Sequence, residues 1–195
     1  MSTRGLLCVA LESKLRLAQY ITEDAYPSQA GVLLLAFLGK RPLQTLGLLC
    51  ERLQATMPCT QKDFRMRMRA CGFSNPEKAD REQLHAFEAK WAHLTAAPGV
   101  KILDLLLHGT VDVVKLEPEF ARDSLYCEWV YVLDADTQIL EIYKGKNTQP
   151  VPRGERFHRA GLRPTESGHY PVRLLKAYPL TALPTASQLC AGVPE

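Results

Sequence analysis

The first residues of the chain could do chemistry, because Ser2 and Thr3 carry hydroxyl groups and Arg4 carries a positive charge. Ser2 is small, so we expect Met1 to be removed, which would leave a hydroxyl group beside a free α-amino group. Such a pair can act as nucleophile and general base, since an α-amino group titrates near neutral pH. This opening could therefore attack an amide carbonyl, with Ser2 as the nucleophile or, after a further cleavage, Thr3.

Two charged residues, Arg4 and Asp24, could complete such a site. Arg4 could orient a substrate carboxylate, and Asp24 could hold the α-amino group in place. The same two residues also suit an ion pair that only fixes the first hairpin to the loop after it, because structural ion pairs produce the same pattern. The sequence leaves both interpretations open.

A binding site without catalysis is the interpretation that we favour. The polar loop 22–31 follows the second predicted strand and brings Asp24 and Tyr26 close to Tyr20 in the chain. Two aromatic rings and an acid, with Arg4 nearby, would suit a polar small molecule, a nucleotide or the end of a peptide. The predicted function is therefore binding of a small molecule or a protein partner, with amide hydrolysis by Ser2 as the alternative.

Strands are predicted at both ends of the chain and helices in its middle. Residues 4–11 and 15–21 are apolar runs around a short polar turn, which indicates a β-hairpin. The remaining strands are predicted over 111–116, 129–133, 138–143 and 170–178, and the helices over 29–38, 42–54, 76–95 and 98–107. This order predicts an α+β fold with mainly antiparallel sheets and a helical insertion.

Length and composition favour one domain. The chain has 195 residues, of which 46% are hydrophobic and 23% are charged, as in ordinary globular proteins. Because the apolar segment 32–38 cannot easily be buried without the sheets, we treat residues 1–195 as a single domain. Within it we expect a helical insertion at about 40–109, a long surface loop at 151–169 and an irregular tail at 180–195 with one helical turn at 185–190.

The composition also argues against several classes of function. A net charge of +3 does not require a nucleic-acid partner, so nucleic-acid binding is not expected. The longest apolar run is far short of a membrane span and no signal sequence is recognisable, so we expect a cytoplasmic protein with reduced cysteines and no membrane partner. The cysteines and histidines lack metal-ligand spacing and nucleotide-binding motifs are missing, so no metal or cofactor is expected.

Two further groups of residues have a chemical and a structural interpretation. Cys127 could be a nucleophile paired with His158 or His169, but a buried, inert thiol is the common case. The stretch Arg65–Arg69 would form either a solvated basic helix face or a surface that contacts phosphate groups. The sequence favours the structural interpretation for both groups.

Several different short motifs lie in the two halves of the chain, namely Ser2–Leu6, Ala18–Tyr20, Asp24–Gly31, Glu128–Trp129, Tyr131–Thr137, Leu140–Gly145 and Tyr170–Leu174. Together they resemble an uncharacterised family that occurs in phage, bacterial and fungal genomes and that opens with Met-Gly-Thr-Arg-Gly. Members of that family have glycine where this chain has Ser2, and residues 50–100 lie outside the resemblance. The resemblance implies no established activity, although its phage members suggest an accessory or host-interaction role.

The layout of the chain also resembles the N-terminal nucleophile hydrolases. Those enzymes begin with the nucleophile on the first strand and place helices outside two antiparallel sheets. The resemblance implies an αββα sandwich and a catalytic Ser2. Because a fold does not determine a function, the implied hydrolase activity is an expectation to be tested.

Overall fold

A five-stranded sheet forms the centre of the structure, a computed structural model that describes residues 3–22, 24–73, 80–109 and 111–193. Its strands are β1 (Gly5–Leu11), β2 (Lys14–Ile21), β5 (Trp129–Asp134), β6 (Ile139–Lys144) and β7 (Arg173–Pro179). Their spatial order is β2-β1-β5-β6-β7, with β1 and β5 parallel and the other neighbours antiparallel. Together with the helices, this mainly antiparallel sheet confirms the predicted α+β class.

The helices lie mostly between β2 and β5. They are α1 (Val32–Leu38), α2 (Pro42–Gln54), α3 (Gln61–Arg69), α4 (Arg81–Trp91) and α5 (Ile102–His108), and α6 (Ala186–Gly192) follows β7. Two short strands of the same stretch, β3 (Met57–Pro58) and β4 (Val113–Val114), pair in parallel as a second sheet. The first residues of the long helix predicted from 76 lie outside the described residues, and α4 begins after Asp80, whose carboxylate accepts a hydrogen bond from the N–H of Gln83.

The turns of the two hairpins meet at one end of the sheet because β1 and β5 run parallel. Glu12 and Ser13, in the turn between β1 and β2, have positive φ angles of 55° and 60°. Their N–H groups both donate to the carboxylate of Asp136, at 2.9 Å and 2.7 Å. One carboxylate in the second hairpin therefore fixes the turn of the first.

One face of the sheet is covered by helices. Leu7 and Leu17 on the first hairpin and Tyr131 on β5 are fully buried beneath α1, α2, α5 and α6. Although its sequence is apolar throughout, α1 leaves Leu33 47% exposed. This helix is therefore buried on one side only, as is usual for a helix that lies on the surface of a sheet.

The other face of the sheet is covered by irregular chain. Cys8, Val132 and Tyr143 are buried there beneath a 3₁₀ turn at Pro118–Arg122 and the connection between β6 and β7. Phe157 of that connection packs edge-to-face on Tyr143, with 4.9 Å between ring centroids. An αββα sandwich would need a second stacked sheet at this place, whereas the described residues form a two-residue β3–β4 ladder as their second sheet.

Residues 180–193 pack against the helix-covered core. Leu180, Leu189 and Val193 are at most 1% exposed. Gly31 permits this close approach, since a Cβ atom there would lie 2.8 Å from Cδ2 of Leu189. The segment predicted to be an irregular tail with one helical turn thus forms α6 and contributes several buried side chains to the fold.

Within the described residues, no single helix is long and apolar enough to cross a membrane. The helical segments 27–38 and 42–54 reach such a length only as a pair, and the pair is bent by 91° at its break. Leu34, Leu46 and Leu49 of this pair lie in the core beneath the sheet.

Candidate functional site

The residues predicted at the start of the chain lie at the beginning of β1. Thr3 is 1% exposed, and its carbonyl oxygen accepts a hydrogen bond from the N–H of Ala25 (3.3 Å). Arg4 is exposed, and its carbonyl oxygen accepts one from the N–H of Glu128 (3.0 Å). Backbone hydrogen bonds therefore fix this end of the strand on two sides, while Ser2 lies outside the described residues.

Arg4 and Asp24 are not joined by an ion pair. None of the ion pairs formed by the described residues connects these two side chains. Asp24 is exposed and has a φ angle of 53°, a left-handed conformation that aspartate tolerates better than most residues. Its carbonyl oxygen accepts a hydrogen bond from the N–H of Ala30 (3.2 Å), so Asp24 shapes the turn before the first helix. The interpretation of Arg4 and Asp24 as a structural ion pair is therefore wrong.

The two tyrosines of the predicted binding site lie on opposite faces of the sheet. Tyr20 packs edge-to-face against Phe120 on the loop-covered face, with 4.6 Å between ring centroids. Tyr26 packs against the core on the helix-covered face. Side chains alternate along a strand, so Tyr20 points away from the face that Ile21 shares with Tyr26. The structure therefore does not bring the two rings into one pocket.

Tyr26 lines a small cavity at the end of the sheet where β1 begins. The cavity has a volume of about 70 Å³, and its other walls are Glu128, Trp129, Lys144, Gly145 and Lys146. Lys146 pairs with Glu128 at 3.4 Å, and the Lys144 ammonium group lies 5.1 Å from the centre of the Trp129 ring. Since sites for drug-sized ligands have volumes of about 300–1,000 Å³, this cavity has room for one small chemical group.

A buried cluster of charges lies on the loop-covered face of the β5–β6 hairpin. The Arg156 guanidinium group pairs with Asp134 and, through Nε, with Oε2 of Glu141 at 2.8 Å. The hydroxyl group of Tyr143 donates to the same Glu141 oxygen at 2.9 Å. Only 21% of the Arg156 side chain and 8% of the Asp134 side chain are exposed. We refer to Arg156, Asp134, Glu141 and Tyr143 as the Arg156 cluster.

The environment of the Arg156 cluster shifts the pKa values of its members. Burial favours the neutral acid at Asp134, but the N–H of Thr137 and the Arg156 guanidinium group together lower the pKa of this carboxyl group. Burial raises the pKa of Tyr143, and the neighbouring Glu141 carboxylate raises it further. Burial opposes the charge of Arg156, yet its bonds to Glu141 and Asp134 raise its pKa. At neutral pH the cluster therefore contains a cation held between carboxylates and a neutral phenol.

A larger cavity opens beside the Arg156 cluster. It has a volume of about 240 Å³ and lies between the β1–β2 turn, the 3₁₀ turn and the β6–β7 connection. Three arginine side chains share its wall with apolar groups and one hydroxyl group. Its lining residues are Ser13, Leu15, Pro118, Arg122, Arg156, Phe157, Arg159 and Pro171. We refer to this space as the arginine cavity.

The three guanidinium groups of the arginine cavity differ in their partners. Arg156 is held by the two carboxylates of its cluster. Arg159 donates twice to Glu119 on the 3₁₀ turn, through Nη2 to Oε1 at 2.7 Å and through Nη1 to Oε2 at 3.3 Å. Arg122 is exposed, and no ion pair among the described residues includes it. Arg122 is therefore the cation best placed to receive an anion from solution.

Sequence reasoning missed the arginine cavity because its walls come from three separate segments. Residues 151–169 lack periodicity, so the sequence predicts only a long surface loop there. A usable signal is the charge of this part of the chain. Residues 150–173 contain five arginines and two glutamates but no lysine or aspartate, which gives an excess of three positive charges. That excess alone equals the net charge of +3 of the whole protein.

The cysteine site considered from the sequence is not assembled. Cys127 is fully buried, and burial raises the pKa of its thiol. Its Sγ atom contacts the carbonyl oxygen of Trp129 at 3.8 Å. Nδ1 of His158 and Nδ1 of His169 each lie 2.8 Å from a backbone carbonyl oxygen of their own connection. Cys127 is therefore a packed thiol rather than an activated nucleophile.

The basic stretch of α3 divides into one packed arginine and two solvated ones. Arg67 pairs with Asp112, and its guanidinium carbon lies 6.0 Å from the centre of the Trp91 ring. Arg65 and Arg69 are exposed. In a helix, residues four positions apart share a face, so Arg65 and Arg69 lie on one side of α3. Arg67 lies between them in sequence and therefore points in a different direction.

Neither a metal-ligand group nor a known relative identifies the site. In the part of the chain that the structure describes, no group of three or more His, Cys, Asp or Glu side chains is arranged to hold a metal ion. Comparison with protein-family models, curated proteins and solved structures finds no match for this chain. The candidate site is therefore argued from the geometry of the arginine cavity.

Proposed function

We propose that this protein binds a small organic anion in the arginine cavity. The observation that carries the proposal is Arg122, which lines a cavity of about 240 Å³ and belongs to no ion pair among the described residues. A guanidinium group presents paired N–H donors that match the oxygens of a carboxylate or a phosphate group. Small-molecule binding is also the class of function that the sequence favours, although its predicted residues lie elsewhere.

The walls of the arginine cavity set the size of the ligand. An apolar cavity of about 150 Å³ is large enough to bind benzene. A cavity of about 240 Å³ therefore has room for one ring or a short chain with an attached carboxylate or phosphate group. Leu15 and Phe157 would contact the apolar part, and the Ser13 hydroxyl group could accept or donate a hydrogen bond at the rim.

The charges around the cavity favour one anionic group on the ligand. Arg156 already faces the carboxylates of Asp134 and Glu141, so its charge is compensated within the protein. Arg122 is the arginine of the wall that belongs to no ion pair among the described residues, although its charge acts on the nearby Glu119 carboxylate. The arginines of the β6–β7 connection would also raise the local concentration of anions, since a patch of one sign steers opposite charges toward it.

Arg122→Gln is expected to weaken the binding of benzoate and phenyl phosphate by about tenfold or more, because a hydrogen bond to a charged group contributes about 1.5–3 kcal/mol. Titration calorimetry at low ionic strength measures this loss. Benzamide, a neutral molecule of nearly the same shape as benzoate, should bind the wild type far more weakly than benzoate.

Arg163→Gln is the matched control for this experiment. Arg163 is exposed on the same connection and does not line the cavity, and its replacement removes the same charge. We expect the affinity of the Arg163→Gln variant for benzoate and phenyl phosphate to stay within about twofold of the wild type. Salt screens the interaction between an exposed charge and a ligand at a distance. Equal affinities for benzoate and benzamide, or equal losses in the two variants, would contradict the proposal.

Amide hydrolysis by Ser2 is the second function proposed from the sequence. The cavity of about 70 Å³ beside Tyr26 supports it, because it lies near the start of β1 and has room for a single reacting group. Intact-mass analysis after treatment with a hydroxyl-directed electrophile should then show loss of Met1 and one adduct that maps to Ser2. A Ser2→Ala variant should remain unlabelled. Retention of Met1, or labelling that leaves residue 2 unmodified, would exclude Ser2 as the nucleophile.

A further inference from the structure

One ion pair spans the two walls of the arginine cavity. Glu119 belongs to the 3₁₀ turn, which supplies Pro118 and Arg122 to one wall. Arg159 belongs to the β6–β7 connection, which supplies the opposite wall. Because Arg159 donates to both carboxylate oxygens of Glu119, at 2.7 Å and 3.3 Å, the pair joins the walls at the rim.

Glu119 binds Arg159 through the same pair of hydrogen bonds that the carboxylate of a ligand would make. A carboxylate that binds a guanidinium group takes two parallel N–H···O hydrogen bonds. Glu119 already occupies those two donors of Arg159. A ligand anion that approaches Arg122 must therefore compete with Glu119 for the second guanidinium group of the wall.

Exposure decides which arginine can change partner. The side chains of Arg159 and Glu119 are 55% and 63% exposed, and ion pairs this exposed contribute little stability. The Arg156 side chain is only 21% exposed and is held by two carboxylates. Displacing Glu119 from Arg159 therefore costs little, whereas displacing Asp134 or Glu141 from Arg156 would leave a buried charge unpaired.

We infer that Glu119 is an internal competitor for the ligand, which holds Arg159 in the free protein and releases it to the anion in the complex. The inference rests on the proposed function and adds the residue that limits affinity at the same site. In this arrangement Arg122 makes the first contact with the anion. Arg159 makes a second contact once the anion has replaced Glu119 as its partner.

Glu119→Gln is expected to raise the affinity for phenyl phosphate about two- to fivefold, the range that an exposed ion pair can account for. Glu117→Gln is the matched control, since Glu117 lies in the same segment, pairs with Lys115 at 3.3 Å and does not line the cavity. Both variants change the net charge by the same amount, so a general effect of charge would appear in both. We expect a change of less than about 1.5-fold for the control, because a charge without a direct role is screened.

A double-mutant cycle identifies the group through which Glu119 acts. In an Arg159→Gln background, Glu119→Gln should raise the affinity much less than in the wild type, since Arg159 is no longer present to be released. The part of the effect that remains measures the interaction of Glu119 with Arg122. An undiminished effect would overturn the inference. Equal affinities of the Glu119→Gln and Glu117→Gln variants, with binding still dependent on Arg122, would overturn this inference and leave the proposed function standing. Binding that is undetectable in the wild type, or unchanged by Arg122→Gln, would overturn both.

Discussion

Replacing Arg156 with leucine is expected to lower the free energy of unfolding by about 3 kcal/mol at neutral pH, since removing one partner of a buried ion pair leaves the other charge uncompensated. Two carboxylates, of Asp134 and Glu141, lose their cation in this variant. Their side chains are only 8% and 17% exposed, so water cannot replace the guanidinium group effectively. Urea denaturation measures the loss, which corresponds to a decrease of about 6–12 °C in Tm.

The pH dependence distinguishes lost charge pairing from lost packing. In the wild type the pKa of Asp134 is lowered, so its stabilising contribution is present above the unfolded pKa and is lost as pH falls through the folded pKa. Without Arg156 the carboxyl group of Asp134 should take up a proton more readily, because burial favours its neutral form. The difference between variant and wild type should therefore shrink as the pH is lowered from 7 toward 4.

Arg159→Leu is the control for Arg156→Leu. It removes the same side chain from the same connection, but its ion pair with Glu119 is exposed, so the expected loss is below about 1 kcal/mol. If the two variants lost equal stability, or if the loss at Arg156 did not depend on pH, the Arg156 cluster would not be held by its charges.

Gly145→Ala is expected to destabilise the protein by about 3 kcal/mol or more, above the usual cost of overpacking. A Cβ atom at this position would lie 2.6 Å from the carbonyl oxygen of Ser124 and 2.8 Å from Cα of Glu128, and closer still to the carbonyl oxygen of Cys127. All three neighbours are backbone atoms, so no side chain can rotate away. The N–H groups of Gly145 and Lys146 donate to the carbonyl oxygens of Glu128 and Ser124, each at 2.7 Å. These hydrogen bonds keep the two backbone segments close together, so the clash cannot be relieved by moving them apart.

Gly47→Ala provides a control of opposite sign. Gly47 lies within α2 and a Cβ atom there would meet nothing within 4 Å. Alanine at an open position inside a helix is expected to raise the free energy of unfolding by about 0.5–1 kcal/mol. Chemical denaturation of the two variants in parallel gives both values, and a Gly145→Ala variant as stable as the wild type would show that the segment 124–128 can move aside.

The fold class and the hairpins could be predicted from the sequence because their signals are local. The apolar runs at 4–11 and 15–21 and the polar turn between them lie within 18 residues of one another. The structure pairs Gly5 with Ile21 in antiparallel register, which confirms the first hairpin. Turn chemistry and strand alternation depend on neighbouring residues only, so a single sequence contains them.

The arrangement of the candidate site could not be predicted in the same way. Loop composition placed Tyr20 and Tyr26 together, but strand alternation and packing assign the two rings to opposite faces. The Arg156 cluster joins residues separated by 15 and 22 positions through a connection without periodicity. Pairings of this kind depend on the path of the irregular chain, which no local pattern specifies.

Several residues of the short motifs named from the sequence have structural roles in the fold. Asp136 fixes the turn of the first hairpin, and Glu141 belongs to the Arg156 cluster. A Cβ atom at Gly5 would lie 2.6 Å from the carbonyl oxygen of Trp129 and 2.7 Å from Cβ of Ala25, so only glycine fits between these neighbours. At these positions packing and hydrogen bonding are sufficient to explain the residue types.

The parallel pairing of β1 with β5 has a consequence for synthesis of the protein. Gly5 pairs with Trp129, so the neighbour of β1 is made 124 residues later. At about 5–20 residues per second, the first hairpin waits about 6–25 s for that neighbour. During this interval β1 presents an apolar edge with unpaired backbone groups, which is a template for association with other chains. The newly made protein is thus most prone to aggregation before β5 leaves the ribosome.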